Sequence, residues 1–214
     1  QTCALPILEL KNIKLIAVIP AAGSGERLGL GIPKALADIH GESILTRTVS
    51  KFISTGVFSR IIVTAPEERL SIFNESLSRV EALLREEPPL CRLSKLSGIK
   101  LHCVPDDKVE LIAGGATRSD SVRKAIRALA GEVGENSLVV LHDAARIFVS
   151  DDLLMRCIAA AHRSGAATAA IPVVDPLRLA STHNEVRQLG AVVSRERLWG
   201  MQTPQVFKLS LLRE

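Results

Sequence analysis

Short apolar runs alternate along this chain with longer segments in which apolar side chains recur every three or four positions. The short runs are typical of buried strands, and the longer segments are typical of amphipathic helices. Strands are predicted at residues 14–19, 60–64, 100–104, 138–141 and 167–174. Helices are predicted around the apolar stripes at residues 44–53, 70–84, 122–129 and 153–161. This alternation indicates an α/β fold whose mainly parallel sheet has helices on both faces.

The pattern changes in the last fifth of the chain. From Asp175 to Gln205, short apolar and polar runs replace the helices, with turn residues such as Asn184 and Gly190 between them. These runs predict an antiparallel excursion from the main sheet, a β-arm over about 175–202 that could serve dimerisation. A plain surface hairpin is the alternative interpretation of the same pattern.

Composition favours a globular chain that binds a small anion. The 214 residues suit one domain, predicted over 13–214, with residues 1–12 as an N-terminal extension outside the fold. The net charge is +4, but no basic run of the kind that binds nucleic acid is present, and the chain has no Tyr. No apolar stretch approaches the about 20 residues of a membrane span. We therefore expect neither a nucleic acid polymer nor a membrane as a partner.

The chain has four cysteines, at positions 3, 91, 103 and 157. They show no CxxC spacing and no histidine at metal-ligand spacing. We therefore predict inert thiols in a reducing, cytoplasmic location, with a metal or disulfide role as the weaker alternative.

The most informative segment is residues 16–36, IAVIPAAGSGERLGLGIPKAL, in which a predicted strand enters a glycine-rich loop. Glycines let backbone N–H groups turn toward an anion, and Arg27 and Lys34 add two cations beside them. Attack on the α-phosphate of a nucleoside triphosphate builds negative charge, which fixed cations stabilise in the transition state. The segment therefore predicts a nucleotide-binding loop with Arg27 and Lys34 as catalytic residues.

A dinucleotide-binding turn is an alternative for this loop, because Gly23, Gly25 and Gly29 can be written as GxGxxxG. That turn needs a helix that begins at the glycines and holds the pyrophosphate at its N-terminus. Gly31 and Pro33 interrupt such a helix. The dehydrogenase interpretation is therefore weak, and a test of NAD(P) binding would distinguish it.

A second segment, GGATRSDSV at 114–122, precedes a predicted helix. Thr117 and Asp120 have the spacing of a capping box, which explains those two residues structurally. Gly114 permits a close backbone approach to a base, and Ser121 adds a hydroxyl in the first turn. The segment alone fits a helix cap and a binding loop equally well.

A third segment, VVLHDAAR at 139–146, ends a predicted buried strand in His142 and Asp143. A carboxylate at that edge of the sheet can bind a sugar hydroxyl or the water shell of Mg²⁺. An ion pair between Asp143 and Arg146 is the plain structural explanation.

Four motifs in this order, PAAGSGERL with a following PK, GGATRSDSV, HDAAR and TPQVF, resemble those of the 2-C-methyl-D-erythritol 4-phosphate cytidylyltransferases. The resemblance covers Ile16 to the end of the chain. It implies a Rossmann-like nucleotidyltransferase sheet with a protruding arm that forms a homodimer. It also implies cytidylyl transfer from CTP to a polyol phosphate in the non-mevalonate isoprenoid pathway, with release of pyrophosphate. Ribitol 5-phosphate cytidylyltransferase is the closest alternative.

The resemblance also implies roles for individual residues. Arg27 and Lys34 would stabilise the pentacoordinate α-phosphorus. The residues implied for CTP binding are Ala21, Ala22, Gly23, Gly25, Gly114, Ser121, Asp143 and Ala144. Those implied for binding of the acceptor are Asp143, Arg146, Arg195 and Thr203, with Arg195 reaching from the arm into the partner subunit. Mg²⁺ would bridge the CTP phosphates without direct protein ligands, Asp143 being the one candidate.

The chain departs from the family pattern at several positions. Ala35 stands where PKQ is usual, Ile147 stands where a proline usually follows HDAAR, and Pro176 replaces the threonine of an Asp-Thr pair. Family members continue beyond the position of Glu214 to a strand and a helix with a lysine that contacts the substrate phosphate. The resemblance thus implies a truncated C-terminal part, which leaves a non-catalytic nucleotide-binding module as a further alternative.

Overall fold

A six-stranded sheet forms the centre of the fold. The structure is a computed structural model that describes residues 13–23, 31–86, 109–129, 131, 133–183 and 186–213. The strands of this sheet are β1 (Leu15–Pro20), β4 (Arg60–Ala65), β5 (Val109–Ala113), β6 (Leu138–Leu141), β7 (Ala166–Pro172) and β10 (Trp199–Lys208). Two smaller pairs lie outside it: β2 (Asp38–Ile39) with β3 (Glu42–Ser43), and β8 (Leu177–His183) with β9 (Val186–Val193).

The order of the main sheet is β5-β4-β1-β6-β10-β7. The first four strands are parallel, whereas β10 is antiparallel to both of its neighbours. The carboxyl ends of β1, β4, β5 and β6 therefore meet at one edge, where open α/β sheets bind their ligands.

Helices cover both faces of the sheet. They are α1 (Ile44–Ser54), α2 (Leu70–Glu86), α3 (Arg118–Ala128), α4 (Asp151–Ser164) and the short α5 (Leu209–Leu212). Side chains alternate along β1, so Leu15 and Ile19 join the core beneath α1, α2 and α4, while Ile16 and Val18 join the core beneath α3 and α5. The predicted fold class, a mainly parallel sheet between helical layers, is confirmed.

Most predicted elements are present, with ends shifted by a few residues. The strand predicted at 100–104 lies outside the described residues, as do residues 1–12. The sheet also contains β5, which was not predicted. β5 is an edge strand whose residues are all partly exposed, and its Glu110 accepts a hydrogen bond from Nε of Arg60 at 3.0 Å. An edge strand needs no continuous apolar run, so its pattern is weak.

The arm consists of the β8–β9 hairpin, which pairs antiparallel outside the main sheet. Residues 199–202, which the sequence pattern assigned to the arm, begin β10 instead, since Trp199 pairs with Pro172 of β7. The register between β10 and β7 shifts between Met201 and Gln205. Such an irregularity re-aims side chains, and this one lies beside the loop that follows β6. No helix in the described ranges is long and apolar enough to cross a membrane.

Candidate active site

A cleft of about 600 Å³ opens at the carboxyl edge of the sheet. Its walls come from three places: the chain after β1 with the turn at Lys34–Leu36, the start of α3, and the loop after β6. A second cavity of about 510 Å³ adjoins it and shares Ala22, Gly115 and Ala116. The three segments singled out in the sequence thus border one continuous space.

The structure places most of the predicted site residues around this space. The cleft is lined by Ala21, Ala22, Gly23, Lys34, Ser121, Asp143 and Ala144, and Gly114 lines the adjoining cavity. Arg146 and Thr203 stand beside the cleft through contacts with Asp143. Gly25 and Arg27 lie outside the described residues. Arg195 is not in the cleft lining and donates a hydrogen bond to the carbonyl of Val174 in the arm region.

Lys34 contributes a positive charge to the cleft wall. It begins a 3₁₀ turn after Pro33, in which the amides of Leu36 and Ala37 donate to the carbonyls of Pro33 and Lys34. Ala35 is buried in this turn, so the backbone is fixed while the Lys34 side chain remains exposed. None of the described residues forms an ion pair with Lys34, which leaves its ammonium group available to an anionic ligand.

The start of α3 forms a tight turn beside the cleft. Thr117 caps the helix: its hydroxyl accepts from the Asp120 amide at 3.1 Å, and the Asp120 carboxylate accepts from the Thr117 amide at 3.2 Å. The predicted capping box is therefore confirmed. The hydrogen bond from the Thr117 hydroxyl is the largest cause that lowers the pKa of Asp120.

Two glycines let this turn approach the helix closely. The Gly114 amide donates to the carbonyl of Ala65 at 2.7 Å, and the Gly115 amide donates to the Ser121 hydroxyl at 3.0 Å. A Cβ atom on Gly115 would lie 2.3 Å from Cβ of Asp120. Glycine at this position is thus required by the local packing, whether or not a ligand is bound.

The Asp143 carboxylate lies between two arginines. Its Oδ1 is 3.1 Å from Nε of Arg118, and its Oδ2 is 3.2 Å from Nε of Arg146. Arg118 also donates to Oε1 of Gln205 at 3.3 Å, and Arg146 donates to Gln202. The ion pair expected with Arg146 is present, and it is one part of a larger polar group at the mouth of the cleft.

Arg118 was not among the predicted site residues, although it lies inside a quoted motif. The sequence does hold a signal: Arg118 follows the helix cap directly, where the helix dipole disfavours a cation unless an anion is near. Asp143 supplies that anion. The glutamines of β10 carried no signal, because their proximity depends on the pairing of β10 with β6.

The loop after β6 rests on buried side chains. His142 is fully buried, and its Nε2 donates to the carbonyl of Arg146 at 2.9 Å. Burial is the largest cause that lowers the pKa of His142. Thr48 of α1 is fully buried as well and donates to the carbonyl of Ala144 at 2.7 Å. The Thr203 hydroxyl accepts from the Asp143 amide at 3.4 Å.

Among the residues that the structure describes, the cleft shows no cluster of metal-binding side chains. No group of three His, Cys, Asp or Glu side chains among the described residues could hold a metal ion. Asp143 lies in the cleft lining, and both of its oxygens face arginines. If Mg²⁺ arrives on the phosphates of CTP, as the family resemblance implies, the Asp143 carboxylate could accept a hydrogen bond from its water shell.

Comparisons with known proteins identify the family of this chain. A sequence model of the 2-C-methyl-D-erythritol 4-phosphate cytidylyltransferase family matches residues 15–214. A protein of that name from Syntrophus aciditrophicus is 31% identical over 94% of this chain and 74% of its own length. A namesake from Saccharopolyspora erythraea is 33% identical over 94% of this chain and 78% of its own length.

Solved structures give the same result. The crystal structure of 2-C-methyl-D-erythritol 4-phosphate cytidylyltransferase from Thermus thermophilus superposes with a TM-score of 0.60. It is 31% identical in sequence, and the match covers 94% of this chain and 73% of that one. With a matching fold and a family match over nearly all of its length, the chain belongs to the 2-C-methyl-D-erythritol 4-phosphate cytidylyltransferase family, a family of nucleotidyltransferases.

Proposed function

We propose that this chain joins CTP and 2-C-methyl-D-erythritol 4-phosphate, giving 4-diphosphocytidyl-2-C-methyl-D-erythritol and pyrophosphate in isoprenoid precursor biosynthesis. Family membership supports this reaction, and the names of the relatives favour this acceptor over ribitol 5-phosphate. One structural observation supports the site: Lys34, the turn at Gly115–Ser121 and Asp143 border a single cleft of about 600 Å³.

In this reaction an oxygen of the acceptor's 4-phosphate attacks the α-phosphorus of CTP. A new P–O bond forms, the bond between the α-phosphorus and the bridging oxygen breaks, and pyrophosphate leaves with the electron pair. Lys34 would stabilise the negative charge that develops on the α-phosphate and the leaving group. Arg27 would act with it, and its planar guanidinium could span two oxygens.

The other wall of the cleft would orient the two substrates. Asp143 would accept a hydrogen bond from a ribose hydroxyl of CTP, held in place by Arg118 and Arg146. Arg146 and Thr203 would face the acceptor phosphate. Mg²⁺ would enter on the phosphates of CTP, where it neutralises charge, with the Asp143 carboxylate able to bind its water shell.

We also propose that the chain forms a homodimer through its arm. The hairpin and the adjoining ends of β7 and β10 expose several large apolar side chains, which are Ile171, Val174, Leu179, Leu189, Val192, Trp199 and Met201. A concentration of exposed large apolar side chains in one part of a chain is typical of an interface. Arg195 lies in the same region and would meet the acceptor bound to the partner subunit. A cytoplasmic location remains our prediction; the one described cysteine, Cys157, is a buried free thiol.

Sedimentation velocity tests the dimer. The double substitution Leu189→Lys and Val192→Lys should convert the dimer to a monomer, because both side chains are more than 60% exposed on β9. Ile72→Lys, at an exposed apolar residue of α2, is the matched control and should leave the dimer intact. A wild-type chain that sediments as a monomer at micromolar concentration would refute the dimer.

Pyrophosphate release tests the reaction. The chain is incubated with CTP, Mg²⁺ and either 2-C-methyl-D-erythritol 4-phosphate or ribitol 5-phosphate, with a reaction without acceptor as the control. We expect release with the methylerythritol phosphate. A preference for ribitol 5-phosphate would overturn the acceptor. CTP binding by calorimetry without any product would support a nucleotide-binding module instead.

A further inference from the structure

The loop that carries Asp143 and Arg146 is held from below by two buried side chains. Backbone amides of the loop find ordinary partners, since Ala144 donates to the carbonyl of Pro20 at 3.5 Å and Arg146 donates to the carbonyl of Asp143 at 3.0 Å. The carbonyls of Ala144 and Arg146 instead accept hydrogen bonds from the side chains of Thr48 and His142. The loop therefore depends on side chains to satisfy two of its inward carbonyls.

Helix α1 supplies Thr48 and also packs against His142. Thr48 and Phe52 are one turn apart on it, and the ring of His142 packs against Phe52 with centroids 5.0 Å apart. The Thr48 hydroxyl has one hydrogen, and the carbonyl of Ala144 at 2.7 Å is closer than that of Ile44 at 3.1 Å. His142 must carry its proton on Nε2, because a carbonyl can only accept.

We propose that Thr48 and His142 are positioning residues, which hold the loop after β6 so that Asp143 lines the nucleotide cleft and Arg146 stays paired with it beside the cleft. Neither side chain reaches the cleft, since both are fully buried. They hydrogen-bond to the carbonyls of Ala144 and Arg146, while the charged side chains of Asp143 and Arg146 remain partly exposed. A buried carbonyl that loses its only side-chain donor must find another partner, and the loop moves to reach it.

The inference rests on the proposed function only in that the loop binds a nucleotide. Its test is therefore CTP affinity, measured by calorimetry in the presence of Mg²⁺, which does not require turnover. Thr48→Val keeps the shape of the side chain and removes the donor, whereas Thr48→Ser retains the hydroxyl. Thr55→Val is the matched control. Thr55 directly follows the same helix, and its buried hydroxyl donates to the carbonyl of Phe52 at 2.7 Å without a hydrogen bond to the loop.

We expect Thr48→Val to raise the Kd for CTP roughly tenfold or more, because the displaced loop would lose a charge-assisted hydrogen bond from CTP to the Asp143 carboxylate. Thr48→Ser should stay close to the wild type, and Thr55→Val should lower stability without changing the Kd. His142→Phe keeps a ring against Phe52 but lacks the donor, so it should weaken CTP binding in the same way. If Thr48→Val does not fold, the CTP affinity of His142→Phe tests the proposal instead.

Equal CTP affinity in Thr48→Val and Thr55→Val would overturn the proposal, as would a Thr48→Ser protein that binds no better than Thr48→Val. A wild-type chain that binds CTP but releases no pyrophosphate would refute the proposed reaction and leave the affinity comparison valid. A wild-type chain that does not bind CTP would overturn both.

Discussion

Replacement of Gly115 by alanine should unfold the start of α3. The added Cβ would lie 2.3 Å from Cβ of Asp120 and 3.0 Å from its carbonyl carbon. Carbon atoms pack at about 3.5–4 Å, so the turn and the helix must separate by roughly 1 Å. Asp120 is the residue that completes the capping box with Thr117, and the separation would pull that box apart.

The cost can be assembled from these parts. Loss of a helix cap costs about 1 kcal/mol, and forcing an extra carbon into a filled space costs about 1–3 kcal/mol. In a chain of this size, 1 kcal/mol shifts Tm by about 2–4 °C. The total of about 2–4 kcal/mol should therefore lower Tm by roughly 4–16 °C. The substitution should also weaken CTP binding, because the turn lines the cleft.

Thermal unfolding followed by circular dichroism measures the shift. Gly134→Ala is the control, because a Cβ there would meet no described atom within 4 Å. Its Tm should stay within about 2 °C of the wild type. A Gly115→Ala protein that unfolds at the wild-type temperature would show that the turn relaxes freely, and the reasoning from close approach would be refuted.

Three other predictions address the cleft and its support. Lys34→Ala and Arg27→Ala should each lower kcat by roughly 100-fold or more, because each removes a charge contact made in the transition state. Arg79→Ala on α2 is the control and should leave kcat unchanged. Near-normal turnover of both the Lys34 and the Arg27 variants would contradict their catalytic role. Gly23→Ala should leave Tm unchanged, since its Cβ would meet no described atom within 4 Å. The same substitution should weaken CTP binding in calorimetry, and unaltered affinity would show that CTP binding does not need this glycine. Burial lowers the pKa of His142 from its ordinary 6.5, so the unfolded chain takes up the proton first on acidification. The contribution of the neutral His142 to the free energy of unfolding is complete above about pH 6.5. As the pH falls further, this contribution declines by up to about 1.4 kcal/mol per pH unit, until the pH is below the lowered pKa of His142 in the folded chain. Denaturant unfolding at pH 7 and pH 5.5 should reveal this decline, and a His142→Phe protein with the same decline would contradict it.

The sequence was sufficient for the fold class because the buried strands are short and almost wholly apolar. The apolar residues of β1 and β6 are enough by themselves to predict these strands. The regular spacing of apolar residues in α1 is enough to predict its buried face. The strand β5 was missed, since it lies at the sheet edge with every residue partly exposed and a glutamate in its middle. An edge strand forms because it pairs with a neighbouring strand, and the local sequence pattern holds no information about that neighbour.

Much of the candidate site was predictable for a related reason. Lys34 and Asp143 lie in the connections after β1 and β6, and Ser121 lies in the first turn of α3. Parallel strands bring such connections and helix starts to one edge. Arg118 lies within one of the motifs, but its place in the site follows only from the unfavourable position of a cation at the N-terminus of a helix. Thr48 could not be found from spacing, because its partner Ala144 is 96 residues away and the contact depends on how α1 packs beneath the sheet.

Strand β10 joins two distant regions in a single stretch of backbone. It begins at Trp199 beside the exposed hairpin and then passes Gln202, Thr203 and Gln205, which contact Arg146, Asp143 and Arg118. If two subunits meet through the arm, any shift of β10 on association would also move the side chains that contact Asp143, Arg118 and Arg146. Binding of the partner and binding of substrate would then change each other's affinity by an equal factor. Under that condition, the affinity for substrate would depend on the concentration of the protein.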